Sequence, residues 1–388
     1  MQSRGCHDFG RPIVITANVL KNDTQTEVTM ISAQHRTGPV PDVSTDPALL
    51  PGFTALPGCH CVTGSFRNVF TYHNYPISEE MLLGLGAGVG FVYWHAKGQA
   101  PFLGGRGNPK DFAADLSRRT SVRIGEHTSA SPRAAERALL ELLAAGQPVV
   151  VYADMPYLTY LGLPSDAHFG GHAIGVCGYD PARREVLVAD LAARQTGYKD
   201  GTLNRLPLEQ LARARDSRYR PFPPHNAWFT FDFSQAHPVQ AADVRAAIHQ
   251  AAQAMLNPPI QNLGVPGIRT AAHRARDWAK TMDLPQLRLA LFNVYVFSEI
   301  GGSGGGLFRS MQARFLDEAA ALTGLPRLGD AARAFHACAA RWTALANPLG
   351  GAFELEDPAA LLPGLANGLE EAHQLEAEAW RIAVEAVR

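Results

Sequence analysis

The chain is 388 residues long and 46% hydrophobic, which is more than one ordinary core requires, so we expect two folded domains. Its 35 basic residues nearly balance its 36 acidic ones, which argues against a nucleic-acid or anionic-membrane partner. No apolar run approaches about 20 residues and no secretory signal pattern opens the chain, so we expect a cytoplasmic protein. Five cysteines are too few for a disulfide framework, and their odd number leaves at least one free thiol.

Residues 1–48 contain many Gly, Thr, Ser, Pro and Asp residues without sustained periodicity. This composition predicts an N-terminal extension that is possibly disordered. The first folded domain is predicted over residues 49–235, and the second over residues 236–388.

Cys61 is the candidate nucleophile, because it is predicted to open a helix. Pro57 and Gly58 interrupt the chain before it, and apolar residues recur with helical spacing from Val62 to Phe70. A thiol at a helix start faces unpaired N–H groups and the positive end of the helix dipole. Both favour the thiolate and lower the pKa below the free value of about 8.5.

The chain then alternates further predicted elements. Ser78 is a plausible cap for a second helix, with Glu79 and Glu80 favourably placed in its first turn. The remaining predictions are a strand at 91–94, a glycine-rich loop at 104–108, a helix at 131–145, a strand at 149–152, a helix at 201–218 and a closing strand at 227–231. This mixture of helices and strands favours an α+β domain.

A predicted β-hairpin at residues 170–190 carries the candidate base, His172, and its candidate orienting group, Asp190. If Tyr179 pairs with Glu185, Asp190 lies opposite Ile174 and diagonally across from His172 on one face. A register shift of one residue would move Asp190 to the other face. The Cys61, His172 and Asp190 triad therefore depends on the turn.

Two loops carry candidate substrate-binding residues. Arg106 could meet an anionic substrate group, or simply water. The loop from Asp154 to Phe169 should border the cleft and carries Tyr157 and His168 as candidates.

After Pro238 the composition shifts to Ala, Leu, Arg and Glu, which predicts an all-α domain. A glycine-dense run from Gly301 to Gly306 separates two of its helices. Close backbone approach there could make Gly304 part of a substrate channel, although a flexible connection is an equal alternative. The predicted helices are 239–256, 266–282, 284–300, 307–323, 328–346 and 358–387.

Metal and dinucleotide sites are not favoured. Cys59, His60, Cys61 and His73 could suggest zinc, but Cys59 and Cys61 have only one residue between them and no second ligand pair follows. The run after Gly84 fails the dinucleotide-loop spacing because Val89 holds the third glycine position. We therefore expect no metal and no bound cofactor.

The order of cysteine, histidine and aspartate is similar to that of papain-like cysteine enzymes and of double-glycine bacteriocin-processing peptidases. Over roughly residues 55–232 the chain more specifically resembles the family of butirosin biosynthesis protein H, in which a helical partner domain often follows. The motifs that carry this resemblance are His60-Cys61, Arg67-Asn68, Tyr72-His73, Ile77-Ser78-Glu79, Gly84-Leu85-Gly86 and Gly171-His172.

The resemblance implies a papain-like catalytic domain followed by an all-α domain. It also implies an acyltransferase of natural-product biosynthesis, which moves an acyl group from a carrier-protein thioester to an amine. The expected partners are an acyl carrier protein, with a phosphopantetheine-linked acyl donor, and a small-molecule amine acceptor.

Two alternatives remain open. A cysteine peptidase, amidase or thioesterase could use the same triad, and a pseudoenzyme could bind a carrier protein without a reactive thiol. Papain-like enzymes usually place a glutamine about six residues before the cysteine, where this chain has Ala55. Its absence weakens the peptidase hypothesis more than the thioester one, because a thioester has the better leaving group.

Overall fold

The computed structural model of the protein describes residues 45–96, 99–192, 197–220 and 222–388. The predicted N-terminal extension lies outside these ranges up to residue 44. Strands occur between residues 89 and 232, and the residues from 241 onward fold into helices and their connections. The strands are β1 (Val89–Trp94), β2 (Phe102–Arg106), β3 (Arg123–His127), β4 (Val149–Ala153), β5 (His172–Asp180), β6 (Glu185–Leu191), β7 (Gly201–Pro207) and β8 (Trp228–Asp232).

Five helices accompany the strands: α1 (Cys61–Tyr72), α2 (Glu79–Leu85), α3 (Phe112–Thr120), α4 (Pro132–Ala144) and α5 (Leu208–Arg215). The helical part consists of α6 (Ala241–Leu256), α7 (Gly264–Ala275), α8 (Trp278–Thr281), α9 (Leu284–Tyr295), α10 (Arg309–Thr323), α11 (Arg327–Ala346) and α12 (Leu362–Ala386). The chain is therefore a mixed α/β protein with an N-terminal sheet region and a C-terminal helical region. None of the described helices has the length and apolarity needed to cross a membrane.

Six strands form one sheet in the order β3-β8-β4-β5-β6-β7, and each neighbouring pair is antiparallel. Strands β1 and β2 form a separate antiparallel pair. Helix α1 packs across the middle of the six-stranded sheet. Ser65 Oγ donates to the carbonyl of Ala173 at 3.4 Å, and the rings of Phe66 and Phe229 lie 5.1 Å apart between centroids.

The β5–β6 register differs from the predicted one at its turn but agrees with it near His172. Tyr179 pairs with Val186, one residue beyond the predicted partner Glu185. A register shift between Val176 and Gly178 compensates, so that Gly175 pairs with Ala189. Continuing this pairing by one residue places Asp190 opposite Ile174, as the sequence predicts. The turn register alone would place Asp190 on the face of the hairpin opposite to His172. The bulge returns Asp190 to the same face as His172.

Two predicted elements are wrong. Residues 104–108, predicted as a loop, largely belong to β2, and residues 201–218, predicted as a helix, form β7 before α5 begins. A Cβ on Gly105 would lie 2.7 Å from Leu307, so this glycine serves close packing and not a turn. The segment 201–207 pairs along its whole length with β6, and these ladder bonds override its helical pattern.

Both parts of the chain share one core. A single cluster of buried side chains contains Phe66 and Phe112 of the sheet region together with Leu291, Trp342 and Trp380 of the helical region. The helices predicted after residue 238 are all present. However, 266–282 is divided into α7 and α8, and α9 ends in a π-helical turn at Val296–Ile300.

A buried ion pair fixes the start of α10. The Arg309 guanidinium donates to both carboxylate oxygens of Glu376 in α12, at 2.7 and 2.8 Å, and both side chains are fully buried. Trp342 Nε1–H also donates to Glu376, and Arg309 Nη1 donates to the Leu307 carbonyl at 2.6 Å. Three helices and the end of the glycine run therefore meet at one pair of opposite charges.

Replacing Arg309 with Met should lower the free energy of unfolding by about 3–5 kcal/mol, because the Glu376 carboxylate stays buried without its partner. The double variant Arg309→Met/Glu376→Gln should recover most of that loss. As a control, Arg381→Ala removes an exposed pair with Glu378 and should cost no more than about 1 kcal/mol. Urea unfolding measures all three. Equal losses in the single and double variants would contradict the assigned charge effect.

Candidate active site

Cys61 is the first residue of α1, and His60 caps that helix. The Thr63 N–H donates to His60 Nδ1 at 3.4 Å, and the Gly64 N–H donates to the His60 carbonyl at 2.8 Å. The N–H groups in the first turn of a helix have no acceptor within the helix. The Cys61 side chain therefore lies in the first turn of α1, at the positive end of the helix dipole, as the sequence predicts.

The structure brings together the three residues of the predicted triad. His172 Nε2 and Asp190 Oδ2 are 2.8 Å apart, and His172 lies close enough to Cys61 to lower the pKa of its thiol. Because Asp190 occupies Nε2, Nδ1 is the ring nitrogen left for the sulfur. Asp190 is itself held by Tyr160 Oη–H at 2.9 Å and by the Leu191 N–H at 2.7 Å.

These contacts move the two pKa values in opposite directions. Burial opposes ionisation of Cys61, but hydrogen bonds from His172 and the Ala173 N–H, together with the charge on His172, lower the pKa of the thiol. Burial would also lower the pKa of His172, but the adjacent Asp190 carboxylate and the bond to Cys61 raise it to about 10. Both shifts favour the thiolate–imidazolium form over the neutral thiol–imidazole form.

Cys59 has a very different environment, although only one residue separates it from Cys61. Its side chain is 1% exposed, and burial together with the nearby Glu79 carboxylate raises the pKa of its thiol to about 12. A buried neutral thiol is a poor nucleophile. The choice of Cys61 over Cys59 therefore has a physical basis in burial and charge.

Glu79 anchors the segment that precedes Cys61. Its fully buried carboxylate accepts hydrogen bonds from the N–H groups of Cys59 at 2.7 Å and His60 at 2.6 Å, and from Thr63 Oγ–H at 2.8 Å. Sequence reasoning placed Glu79 only in the first turn of α2. A signal was available, because a glutamate directly after the cap Ser78 leaves its long side chain free to reach another segment.

Arg106 does not face open water. It ends β2, its guanidinium lies 4.7 Å from the ring centre of Phe112, and its Nη1 donates to His60 Nδ1 at 3.2 Å. Burial is the main reason that its pKa is lowered, while the nearby Cys61 and Glu79 charges act in the other direction. Arg106 therefore supports the cap of α1 and adds positive charge close to the thiolate.

Gly304 packs against the residues just before the candidate nucleophile. A Cβ on Gly304 would lie 3.2 Å from Cys59 Sγ, and one on Gly302 would lie 3.5 Å from the Cys59 carbonyl. Both glycines have positive φ, +70° and +83°, which side chains rarely tolerate. Lys199 Nζ–H donates to the Ile300 carbonyl at 3.3 Å beside this run. The glycine run therefore packs closely on the Cys59–His60 segment and is not a free connection between two helices.

His168 and Tyr157 lie in a second cluster. His168 Nδ1 is 2.7 Å from Asp154 Oδ2, and its ring stacks on Tyr219 with centroids 3.3 Å apart. Tyr157 is 6.1 Å from the same imidazole between ring centres. Among the described residues, no hydrogen bond or ring contact joins either side chain to Cys61.

Within the described ranges, no three His, Cys, Asp or Glu side chains are placed to share a metal ion. The four cysteines in those ranges are free thiols.

The fold and site define a mixed α/β protein in which a helix-opening cysteine meets a histidine–aspartate pair. Residues 60–191 match the family model of butirosin biosynthesis protein H, N-terminal, and residues 209–382 match a domain of unknown function, DUF4872. The match over residues 60–191 confirms the resemblance to the butirosin biosynthesis protein H family seen in the sequence. The family is one of biosynthesis. No curated protein matches the chain significantly.

Because the pKa of the Cys61 thiol is lowered, its alkylation by iodoacetamide should have a lower pH midpoint than that of an unperturbed cysteine. The rate should fall only as the pH drops through the lowered pKa of the thiol. His172→Asn should move the midpoint upward, since the variant loses both the hydrogen bond and the positive charge. Peptide mapping distinguishes the five cysteines, and Cys59→Ala should leave the profile unchanged. Preferential labelling of Cys59 would show that the reactive thiol was misassigned.

Glu79→Gln should weaken the fold by about 1–3 kcal/mol, because an amide N–H group then faces one of the backbone donors and leaves it unpaired. The rate of Cys61 alkylation should also change, because the start of α1 loses hydrogen bonds that hold it in place. Glu318→Gln is the control, because Glu318 accepts only from Ser78 at the outer end of α2. Urea unfolding and alkylation rates check both variants. If Glu79→Gln changed the alkylation rate no more than Glu318→Gln does, the anchoring role of Glu79 would be contradicted.

Proposed function

We propose that the protein is a cysteine-dependent acyltransferase, in which Cys61 takes an acyl group from a carrier-bound thioester and passes it to an amine. The observation that carries this proposal is the hydrogen-bonded pair of His172 and Asp190 beside Cys61, the first residue of α1, whose pKa His172 lowers. The match to a biosynthetic family supports it. The sheet with α1 packed across it suits a papain-like description of the catalytic region.

In the first half-reaction the Cys61 thiolate attacks the thioester carbonyl. Free N–H groups at the start of α1 stabilise the oxyanion, and the His172 imidazolium gives its proton to the departing thiol. In the second half-reaction an amine attacks acyl-Cys61, neutral His172 takes a proton from the attacking nitrogen, and the Cys61 thiolate leaves. Asp190 keeps the imidazole in position in both halves.

The donor in this proposal is linked to phosphopantetheine on an acyl carrier protein. The position of Ala55 supports a thioester donor, because the side-chain donor of the oxyanion site in papain-like enzymes is missing there. The glycine run packs on the Cys59–His60 backbone directly before Cys61, and exclusion of water from this segment would favour transfer over hydrolysis.

Incubation with carrier proteins loaded with different acyl chains should add one acyl mass to Cys61 of the intact protein. Cys61→Ala should abolish this adduct, and Cys59→Ala should keep it. His172→Ala should slow acylation by about 100- to 10,000-fold, because it removes proton transfer to the leaving thiol. Intact-protein and peptide mass spectrometry measure the adducts.

The fate of the intermediate separates the candidate reactions. For a transferase, added amines should divert acyl-Cys61 from hydrolysis to amide. Rapid hydrolysis that no amine diverts would indicate a thioesterase, and comparable cleavage of peptides would indicate a peptidase. A Cys61 that resists both donors and iodoacetamide would indicate a pseudoenzyme.

A further inference from the structure

A second histidine–aspartate pair lies at the same edge of the sheet as His172. Ala153 pairs with His172 across β4 and β5, and Asp154 directly follows Ala153. Adjacent strands lie about 4.8 Å apart, so the backbone of Asp154 begins about one strand spacing from that of the proposed base. His168, which Asp154 binds, precedes His172 by four positions in the chain.

The Asp154 carboxylate holds this imidazole in one orientation. Asp154 is fully buried, and it accepts hydrogen bonds from His168 Nδ1–H, from the Phe169 N–H at 2.8 Å and from Ser217 Oγ–H at 2.5 Å. The flat stack on Tyr219 fixes the ring plane, at 8° between the two rings. With the proton on Nδ1, the lone pair is on Nε2.

His168 Nε2 is free to accept a proton. Within the described part of the chain no hydrogen bond engages this nitrogen, and the side chain is 15% exposed, almost the same as the 14% of His172. The two imidazoles differ in orientation, because His172 uses Nε2 on its aspartate and His168 uses Nδ1. His172 Nδ1 is thus left for the Cys61 side of the site, and His168 Nε2 is left without a hydrogen-bond partner among the described residues.

In the proposed reaction, a protonated acceptor amine loses more protons than His172 alone can take up. An alkylamine acceptor arrives as an ammonium ion, so it must lose one proton to become a nucleophile and a second when the amide forms. His172 becomes neutral by protonating the departing donor thiol, and it can then take up only one of these two protons. The first proton therefore goes either to bulk solvent or to a second base in the site, and a second base would raise the fraction of the acceptor that is ready to attack.

We propose that His168 is a second catalytic base, which takes this first proton from a primary ammonium acceptor and so prepares it to attack acyl-Cys61. The step moves the proton from R–NH₃⁺ to His168 Nε2 and leaves R–NH₂. Attack then transfers the acyl group to nitrogen, the second proton passes to His172, and the Cys61 thiolate departs. His168 returns its proton to solvent. This inference rests on the proposed acyltransferase function.

The test uses His168→Asn, whose amide N–H group can still donate to Asp154 but has no basic nitrogen. Acyl-Cys61 is formed first from the carrier thioester, the donor is removed, and decay of the adduct is followed by mass spectrometry with n-butylamine or hydroxylamine. Butylamine is protonated at neutral pH, whereas hydroxylamine is largely uncharged. His127→Asn is the control, because His127 is an exposed histidine on β3.

We expect His168→Asn to acylate Cys61 at the wild-type rate, which also shows that it folds. Its reaction with butylamine should fall about 100-fold, within the usual range for loss of a general base, while its reaction with hydroxylamine should stay within about twofold. An equal fall with both amines, or no fall with either, would overturn the role of His168. Failure of the wild-type protein to form acyl-Cys61, or to transfer it to any amine, would instead overturn the proposed function.

Discussion

The site depends on one buried carboxylate. Glu79 binds two successive backbone N–H groups and the hydroxyl of Thr63, so it holds the loop before Cys61 and the first turn of α1 together. A buried charge is stable only when donors surround it, and here the protein backbone provides most of them. The position of the nucleophile is therefore determined by α2 as much as by the helix that carries it.

Helix α2 is in turn tied to the helical region. Arg314 of α10 donates to Glu80 at 2.7 Å, and Ser78 Oγ–H donates to Glu318 at 2.6 Å. The glycine run packs on the same Cys59–His60 segment from the other side. The helical region thus completes the surroundings of the thiol, which explains why one core runs through both parts of the chain.

The sequence predicts the site better than it predicts the sheet. Local signals are sufficient for the start of α1 at Cys61 and for the Ser78 cap, since helix starts depend on neighbouring residues. The pairing of His172 with Asp190 was predicted from an incorrect turn register, and a bulge that no local signal marks corrected it. Strands β2 and β7 and the reach of Glu79 depend on partners far along the chain, so periodicity alone could not reveal them.

The Arg309–Glu376 pair also has a consequence for the order of events during synthesis. Helix α1 emerges from the ribosome more than 300 residues before Glu376 does. Until Glu376 has emerged, Arg309 lacks its counterion, and the glycine run that covers Cys59 and His60 is not yet fixed. The nascent chain therefore carries Cys61 before the glycine run is fixed against the two residues that precede it.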